Sequence, residues 1–211
     1  MTGKYFDELE IRTDEQREEN LAKVLPEHLK YVRDHCKGMK ESLDGLDLDT
    51  FHNINSLQKL PVLRKSDLAN AQKKNPPLGG YNAIPITEFD HLFQSPGPIF
   101  EPGKMSHNWW RGARGLYASG FRDNDIIQNC FSYHLTPAGM MFENAGRAIG
   151  ATVLPAGTGQ TDMQVASCSH LGVSAYVGTP DYRLPNCPPG YYNSIIIGQS
   201  DRTLSQLKNG N

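Results

Sequence analysis

The sequence predicts an α/β fold in which a helical amino-terminal lead-in precedes an incomplete, doubly wound parallel sheet. Strand-like and helix-like segments alternate between residues 125 and 177, and the connections between them are short. Apolar residues recur at helical spacing near the amino terminus. A chain of 211 residues has room for one ordinary α/β domain, or for one domain with a helical extension.

The lead-in begins with a helix signal at Thr13, which with Gln16 forms a capping box. The apolar residues that follow fit one helix face: Leu21, Val24, Leu25, Leu29 and Val32. Pro26 falls inside this pattern and predicts two consecutive helices or a kink, because proline lacks the N–H group of a helix interior. We assign residues 1–90 to this helical lead-in.

The sheet is predicted from an alternation of three strands and two helices. The strands are expected at residues 126–131, 151–154 and 174–177. Pro137 opens the first helix, which ends at Gly150 as a left-handed terminator. Thr161 and Gln164 predict a second capping box, whose helix ends at Gly172. Successive strands joined by helices imply a parallel sheet with right-handed crossovers.

Small or polar residues follow each of the three predicted strands, at residues 132–134, 156–159 and 178–180. In such sheets ligands bind outside the carboxyl ends of the strands, so these segments predict a ligand crevice. The alternative is that the glycines and threonines only make turns. His134 likewise has two interpretations, as a pocket residue or as a hydrogen-bonded structural histidine.

The composition argues against several classes of function. A net charge of −2 gives no field that would attract nucleic acid or an anionic membrane. Residues 1–10 contain no apolar run typical of a secretory signal or a membrane span, so we expect a cytoplasmic protein. The four cysteines lack metal-ligand spacing, and no metal site is predicted.

Beyond Tyr182 the periodic pattern stops. The strand-like residues 191–197 have no evident partner, and residues 183–211 are predicted to be an irregular tail. This loss of pattern indicates a truncated or shifted reading frame. The domain prediction is therefore a lead-in at 1–90, an α/β part at 91–182 and a tail at 183–211.

Ordered motifs between residues 5 and 182 resemble the phenylacetate-CoA ligase branch of the AMP-forming acyl-CoA synthetases. They are Y-F-D-E-L-E at 5–10, L-P-V-L-R-K-S-D-L at 60–68, S-P-G-P-I-F-E-P at 95–102, N-C-F-S-Y-H-L-T-P-A-G at 129–139, G-T-G-Q-T at 157–161 and Y-V-G-T-P at 176–180. The resemblance implies part of the large amino-terminal domain of an adenylate-forming enzyme. Such enzymes use ATP and Mg²⁺ to convert a carboxylic acid to an acyl-adenylate, then transfer the acyl group to coenzyme A.

The resemblance also implies site residues. The implied nucleotide-binding residues are Ser95, Gly97, Gly178, Thr179 and Pro180. The implied substrate-binding residues are Tyr133, His134, Gly139, Gly157, Thr158, Gly159 and Thr161. The family's phosphate loop is rich in Ser, Thr and Gly, whereas residues 95–102 are rich in proline.

The later motifs of the family are missing from this sequence, including those that contact adenine, ribose and magnesium and the catalytic lysine. No catalytic residue is therefore assigned. We expect a truncated aryl- or acyl-CoA ligase that is inactive as these 211 residues alone, or that needs a second polypeptide. The alternative is a non-catalytic α/β module that binds a small ligand or a partner chain at the exposed sheet edge.

Overall fold

The computed structural model describes residues 3–95, 97 and 99–179, together with the backbone of 194–197. Its backbone forms two compact units. One contains Ile11–Lys104, and the other combines Met1–Glu10 with Met105–Asn211. Within the described residues, no helix is both long enough and apolar enough to cross a membrane.

The first helix, α1 (Asp14–His35), confirms the capping box predicted at its start. The Gln16 N–H donates to Thr13 Oγ1 at 3.3 Å, and the Thr13 N–H donates to Gln16 Oε1 at 3.0 Å. A single helix runs through Pro26, so of the two predicted alternatives the one with two separate helices is wrong, and the kink stays a prediction. An interior proline removes one backbone hydrogen bond, and the buried face around Leu29 offsets that loss.

The rest of this unit contains two further α-helices, a hairpin and three 3-10 helices, at Leu48–Thr50, Ile54–Lys59 and Ile86–Glu88. Helix α2 covers Lys37–Leu43 and helix α3 covers Lys65–Lys74, while the antiparallel strands are β1 (His91–Ser95) and β2 (Ile99–Gly103). The side chain of Gln72 on α3 pairs with both backbone groups of Phe100, at 2.8 and 2.9 Å. The apolar core of the unit contains Leu29, Leu43, Leu48 and Phe51.

The second unit contains the predicted parallel sheet. After helix α4 (Ala113–Ala118) come β3 (Ile126–Asn129), α5 (Ala138–Ala148), β4 (Thr152–Leu154), α6 (Thr161–Leu171), β5 (Ala175–Gly178) and β6 (Ser194–Ile197). The strand order is β4-β3-β5-β6, and all three strand pairs are parallel. The predicted α/β class is confirmed, including the three strands and two helices in their predicted order.

The strand order creates a point at which the connections diverge. The chain leaves β3 towards β4 on one side, and it leaves β5 towards β6 on the other. Ligands of open α/β sheets bind in the crevice that such a divergence leaves at the carboxyl ends of the strands. The ends of β3 and β5 meet there, since the Cys130 N–H donates to the Val177 carbonyl at 2.8 Å.

Two local predictions for this unit are wrong. Helix α6 has no side-chain cap, because Gln160 precedes it in the left-handed conformation and the Gln164 side chain is buried elsewhere. Residues 194–197, for which the sequence offers no partner, pair with β5 as a parallel edge strand. Parallel pairing of distant segments leaves no local sequence signal, and this explains the second error.

The two compact units do not coincide with the predicted segments 1–90, 91–182 and 183–211. Met1–Glu10 groups with the sheet, and the hairpin groups with the helices. Compactness alone does not define evolutionary or folding domains, so those boundaries stay a prediction.

Candidate functional site

The loops that follow β3 and β4 come together at the carboxyl ends of the strands. We call this side of the sheet its carboxyl edge, and the side where the strands begin its amino edge. Tyr133 and Gly139 lie in the first loop and at the start of α5, where a Cβ built on Gly139 would stand 2.7 Å from the Tyr133 ring. A Cβ built on Gly157, after β4, would stand 3.9 Å from the same ring. The aromatic ring therefore lies close to both glycines, and only glycine permits this approach at Gly139.

Asn129, the last residue of β3, fixes the loop after its own strand. Its side chain is fully buried, and its Nδ2 donates to Tyr133 Oη at 2.9 Å and to the Gly139 carbonyl at 2.8 Å. Its Oδ1 accepts the Phe131 N–H at 3.1 Å. One buried amide thus holds the strand end, the aromatic ring and the first turn of α5 in a single arrangement.

Gln164, on α6, fixes the second loop. Its Nε2 donates to the carbonyls of Gly157 at 3.1 Å and Gly159 at 2.7 Å. Its Oε1 accepts from Gln128 Nε2 at 3.0 Å and from Cys130 Sγ at 3.2 Å. The loop between β4 and α6 is therefore tied to the central strand through one side chain.

Tyr133 is held in its neutral form. Burial raises the pKa of its phenol well above the ordinary value, and the nearby carboxyl of Glu143 raises that pKa further. A phenol that stays protonated at neutral pH presents an aromatic face and a hydrogen-bonding hydroxyl. Its chemistry fits the wall of a pocket for an apolar or aryl group, and it does not fit a general base.

Cys130 stands directly after β3 but is unsuited to nucleophilic chemistry. Burial raises the pKa of its thiol to about 11, so the thiolate is scarce at neutral pH. Cys36, Cys130 and Cys168 are all free and buried. Within the described part of the chain, no group of three or more His, Cys, Asp or Glu side chains could hold a metal ion.

The other implied residues occupy varied positions. His134, Thr158, Gly159 and Thr161 are exposed around the two loops. Gly178, the last residue of β5, is buried beside the Tyr176 hydroxyl, and the exposed Thr179 follows it at the same edge. Pro180 lies outside the described residues. Their roles in binding stay predictions.

Ser95 and Gly97 belong to the hairpin of the other compact unit. Ser95 ends β1, and its hydroxyl donates to Glu101 Oε1 at 3.1 Å. Gly97, with φ of 110°, lies in the turn between the two strands. Their predicted contact with nucleotide also stays a prediction.

The sequence missed the residues that shape this edge. Gln128 and Asn129 are fully buried on the central strand, and Gln164 was interpreted as a capping residue. The available signal was a pair of amides inside a strand predicted to be buried, because buried polar side chains need partners. Which loops those amides would hold depends on contacts between residues far apart in the chain.

Comparison with curated proteins finds relatives of one kind. The phenylacetate-coenzyme A ligase of Escherichia coli K12 is 25% identical over 193 residues, covering 87% of this chain and 43% of that relative. The phenylacetate-coenzyme A ligase of Thermus thermophilus is 27% identical over 177 residues, covering 78% of this chain and 39% of that relative. This chain thus spans less than half the length of these relatives. No family model matches the chain.

A solved structure has the same fold. A 2-hydroxyisobutyryl-CoA ligase, in an open conformation with 2-HIB-AMP and CoA, superposes with a TM-score of 0.80 at 19% identity. The match covers 92% of this chain and 47% of that one. At this identity the likeness establishes the fold alone. The chain is similar to an amino-terminal portion of phenylacetate-CoA ligases and has the fold of adenylate-forming CoA ligases.

Proposed function

We propose that this chain supplies the acid-binding crevice of an AMP-forming aryl- or acyl-CoA ligase. The observation that carries the proposal is the position of the Tyr133 ring close to both Gly139 and Gly157, at the carboxyl edge of a parallel sheet. This edge is where open α/β sheets bind ligands. The similarity to phenylacetate-CoA ligases supplies the reaction class.

In that reaction, a carboxylate oxygen of the acid attacks the α-phosphorus of ATP. A mixed anhydride forms, and pyrophosphate leaves with its bonding electrons. The thiolate of CoA then attacks the acyl carbonyl, and AMP leaves. In this proposal the neutral Tyr133 ring and the two glycine-bearing loops hold the acyl group and exclude water, while none of these residues transfers a proton.

The co-substrates are proposed from the relatives. The solved ligase was captured with an acyl-adenylate and CoA, and this supports ATP and CoA as co-substrates here. Mg²⁺ is a family expectation for which the described residues offer no cluster of ligands. Any magnesium carboxylate would therefore come from elsewhere in a complete enzyme. We propose that the reaction takes place in the cytoplasm.

We further propose that these 211 residues do not catalyse adenylation alone. Stabilising charge on a pentavalent phosphorus needs a metal or cationic donors aimed at it. The described residues at the crevice include glycines, threonines, a neutral phenol, buried amides and the exposed His134, and residues 129–139 and 156–164 contain neither Lys nor Arg. A second polypeptide carrying the remaining half of a ligase would supply the missing groups.

ATP–pyrophosphate exchange with a panel of aryl and fatty acids tests this proposal. The purified chain should show no exchange above background, but it should bind 5′-O-[N-(phenylacetyl)sulfamoyl]adenosine, a stable mimic of an acyl-adenylate. Exchange by the chain alone would refute the claim of inactivity. Failure to bind the mimic would refute the crevice.

A complementation experiment distinguishes a truncated ligase from the alternative, a non-catalytic binding module. The matched supplement is the carboxyl-terminal part of the Escherichia coli K12 relative, added to this chain in trans. Exchange that appears only in the mixture supports a split or truncated ligase. Continued absence of exchange, with binding of the mimic by this chain, favours a module that binds small ligands without catalysis.

A further inference from the structure

The Gln164 side chain contacts three backbone carbonyls of the loop between β4 and α6. Its Nε2 lies 2.7 Å from the Gly159 oxygen, 3.1 Å from the Gly157 oxygen and 3.5 Å from the Ala156 oxygen. Carbonyls only accept hydrogen bonds, so the amide nitrogen must face the loop and the amide oxygen must face β3. Gln164 is only 4% exposed, and solvent therefore does not compete for these bonds.

The loop needs such a constraint because its backbone is unfavourable. Gly157, Gly159 and Gln160 all have left-handed φ values, of 65°, 81° and 54°. This conformation is accessible to glycine, but it is unfavourable for a residue with a side chain, such as Gln160. The loop is therefore held by contacts from outside it, among them the bonds that the buried Gln164 amide donates.

The loop also lies beside the Tyr133 ring, at the side of the proposed crevice. The Gly157 N–H donates to the Asn129 carbonyl at 2.9 Å, and a Cβ on Gly157 would touch the Tyr133 ring at 3.9 Å. Tyr133 itself is fixed by Asn129 and by Gly139. The ring thus has one position, and any movement of the loop changes the width of the space beside it.

We infer that Gln164 is a positioning residue that sets the width of the acyl crevice by holding residues 156–159 against the Tyr133 ring. This inference rests on the proposed function, since it assigns the crevice to the acyl group. Gln164 touches the loop and not the acyl group. Its effect is transmitted through backbone carbonyls, for which its Nε2 is the donor.

Two substitutions remove the donor in different ways. Q164E keeps the length and the acceptor oxygen that Gln128 and Cys130 use, but it replaces the NH₂ with an oxygen. Q164M removes both ends. The control is S174A, because the Ser174 hydroxyl contacts Asp125 and the Ile126 N–H at the amino ends of the strands and none of the loop carbonyls. Binding of 5′-O-[N-(phenylacetyl)sulfamoyl]adenosine is measured by calorimetry at pH 8.0 and pH 5.5.

At pH 8.0 the dissociation constant should rise at least tenfold for Q164E and Q164M and less than threefold for S174A. At pH 5.5 Q164E should recover at least threefold in affinity relative to the wild type, because a buried carboxyl that takes up a proton becomes a donor. Q164M should not recover. A purely structural role predicts equal losses for all three variants and no recovery.

Amide hydrogen exchange adds a readout without ligand. Exchange of the Gly157 N–H, which donates to the Asn129 carbonyl, should accelerate at least tenfold in Q164E and Q164M, while β3 and β5 keep their protection. If the wild type fails to bind the mimic, the proposed function and this inference both fall. If the wild type binds but Q164E and Q164M bind equally well or keep the loop protected, only this inference is overturned.

Discussion

The two edges of the parallel sheet are held by different chemistry. At the amino edge, the carboxylate of Asp125 accepts the Arg122 N–H at 2.6 Å and the Ser174 hydroxyl at 2.7 Å. Ser174 Oγ in turn accepts the Ile126 N–H at 3.1 Å. At the carboxyl edge, two buried neutral amides, Asn129 and Gln164, donate to loops and not to strand starts.

We expect the contacts at the amino edge to affect mainly the stability of the sheet, and those at the carboxyl edge to affect mainly the position of the loops. The hydrogen bonds at the amino edge join the beginnings of β3 and β5. Loss of these bonds should therefore destabilise the sheet without altering a crevice at the opposite edge. The carboxyl edge holds loops whose backbones contain left-handed residues, and its loss should change their position. Uncharged amides suit this second task, because a buried ion would cost far more without a paired charge.

The largest effect is expected at Gly139. In Gly139→Ala the new Cβ would lie 2.7 Å from the Tyr133 ring and 2.8 Å from the Ser132 carbonyl oxygen. Overpacking of this kind costs about 1–3 kcal/mol of unfolding free energy, and we expect the upper end because one neighbour is backbone. Urea denaturation measures the loss, and calorimetry should show that the acyl-adenylate mimic no longer binds.

Gly115→Ala is the matched control for that change. Gly115 lies in α4, where an added Cβ would meet nothing within 4 Å. Alanine favours helix over glycine by about 1 kcal/mol, so this variant should be as stable as the wild type or more stable. Equal destabilisation by both alanines would show that close packing against Tyr133 is not the cause.

Asp125→Ala should have the next largest effect, and on stability alone. It leaves the Arg122 N–H and the Ser174 hydroxyl without their acceptor, at a residue that is 8% exposed. Loss of a buried acceptor costs about 1–3 kcal/mol, and we expect about 2 kcal/mol because the edge borders solvent. The affinity for the mimic, measured under folding conditions, should stay within twofold. A large loss of affinity in a folded variant would abolish the distinction between the edges.

Tyr133→Phe should have a smaller effect that tests the carboxyl edge. It removes the hydroxyl that Asn129 contacts at 2.9 Å, but Asn129 keeps its bond to Gly139. One such bond contributes about 0.5–1.5 kcal/mol. We expect a loss of about 1 kcal/mol in urea denaturation and an affinity within threefold of the wild type, since the aromatic ring remains. A tenfold loss would indicate that the hydroxyl itself contacts the ligand.

The smallest effect is expected at an ion pair away from both edges. Arg114 Nη2 lies 2.7 Å from Asp7 Oδ2, with about a third of each side chain exposed or more. Its hydrogen bond holds the Asp7 pKa below the ordinary value. The stabilisation is therefore present above the unfolded pKa of about 3.9 and is lost as pH falls through the lower folded pKa.

Asp7→Asn measures that contribution. At pH 7 the substitution should cost about 0.5 kcal/mol, because exposed ion pairs are screened by solvent. Thermal denaturation of both proteins should show the difference shrinking below pH 4. A difference that stays constant down to pH 2 would assign the effect to lost packing and not to charge.

Local patterns predicted much of the fold. The apolar run at residues 126–131, Gly150 as a left-handed terminator and the capping box at Thr13 each depend on neighbours within a few residues, and all three are present. The capping box at Thr161 failed although its pattern is the same. The Gln164 side chain donates instead to backbone carbonyls of the loop at residues 156–159, so it is not available to cap the helix.

The sequence by itself determined the α/β class, the order of the three strands and two helices between residues 125 and 178, and the similarity to phenylacetate-CoA ligases. Periodicity, caps and motifs determine these, and each is written into consecutive residues. The tertiary structure decided that β6 completes the sheet as its edge strand and that Asn129 and Gln164 shape the crevice. The physical reason is that a buried polar side chain takes whichever partner the packed chain brings to it, and those partners lie up to 36 residues away.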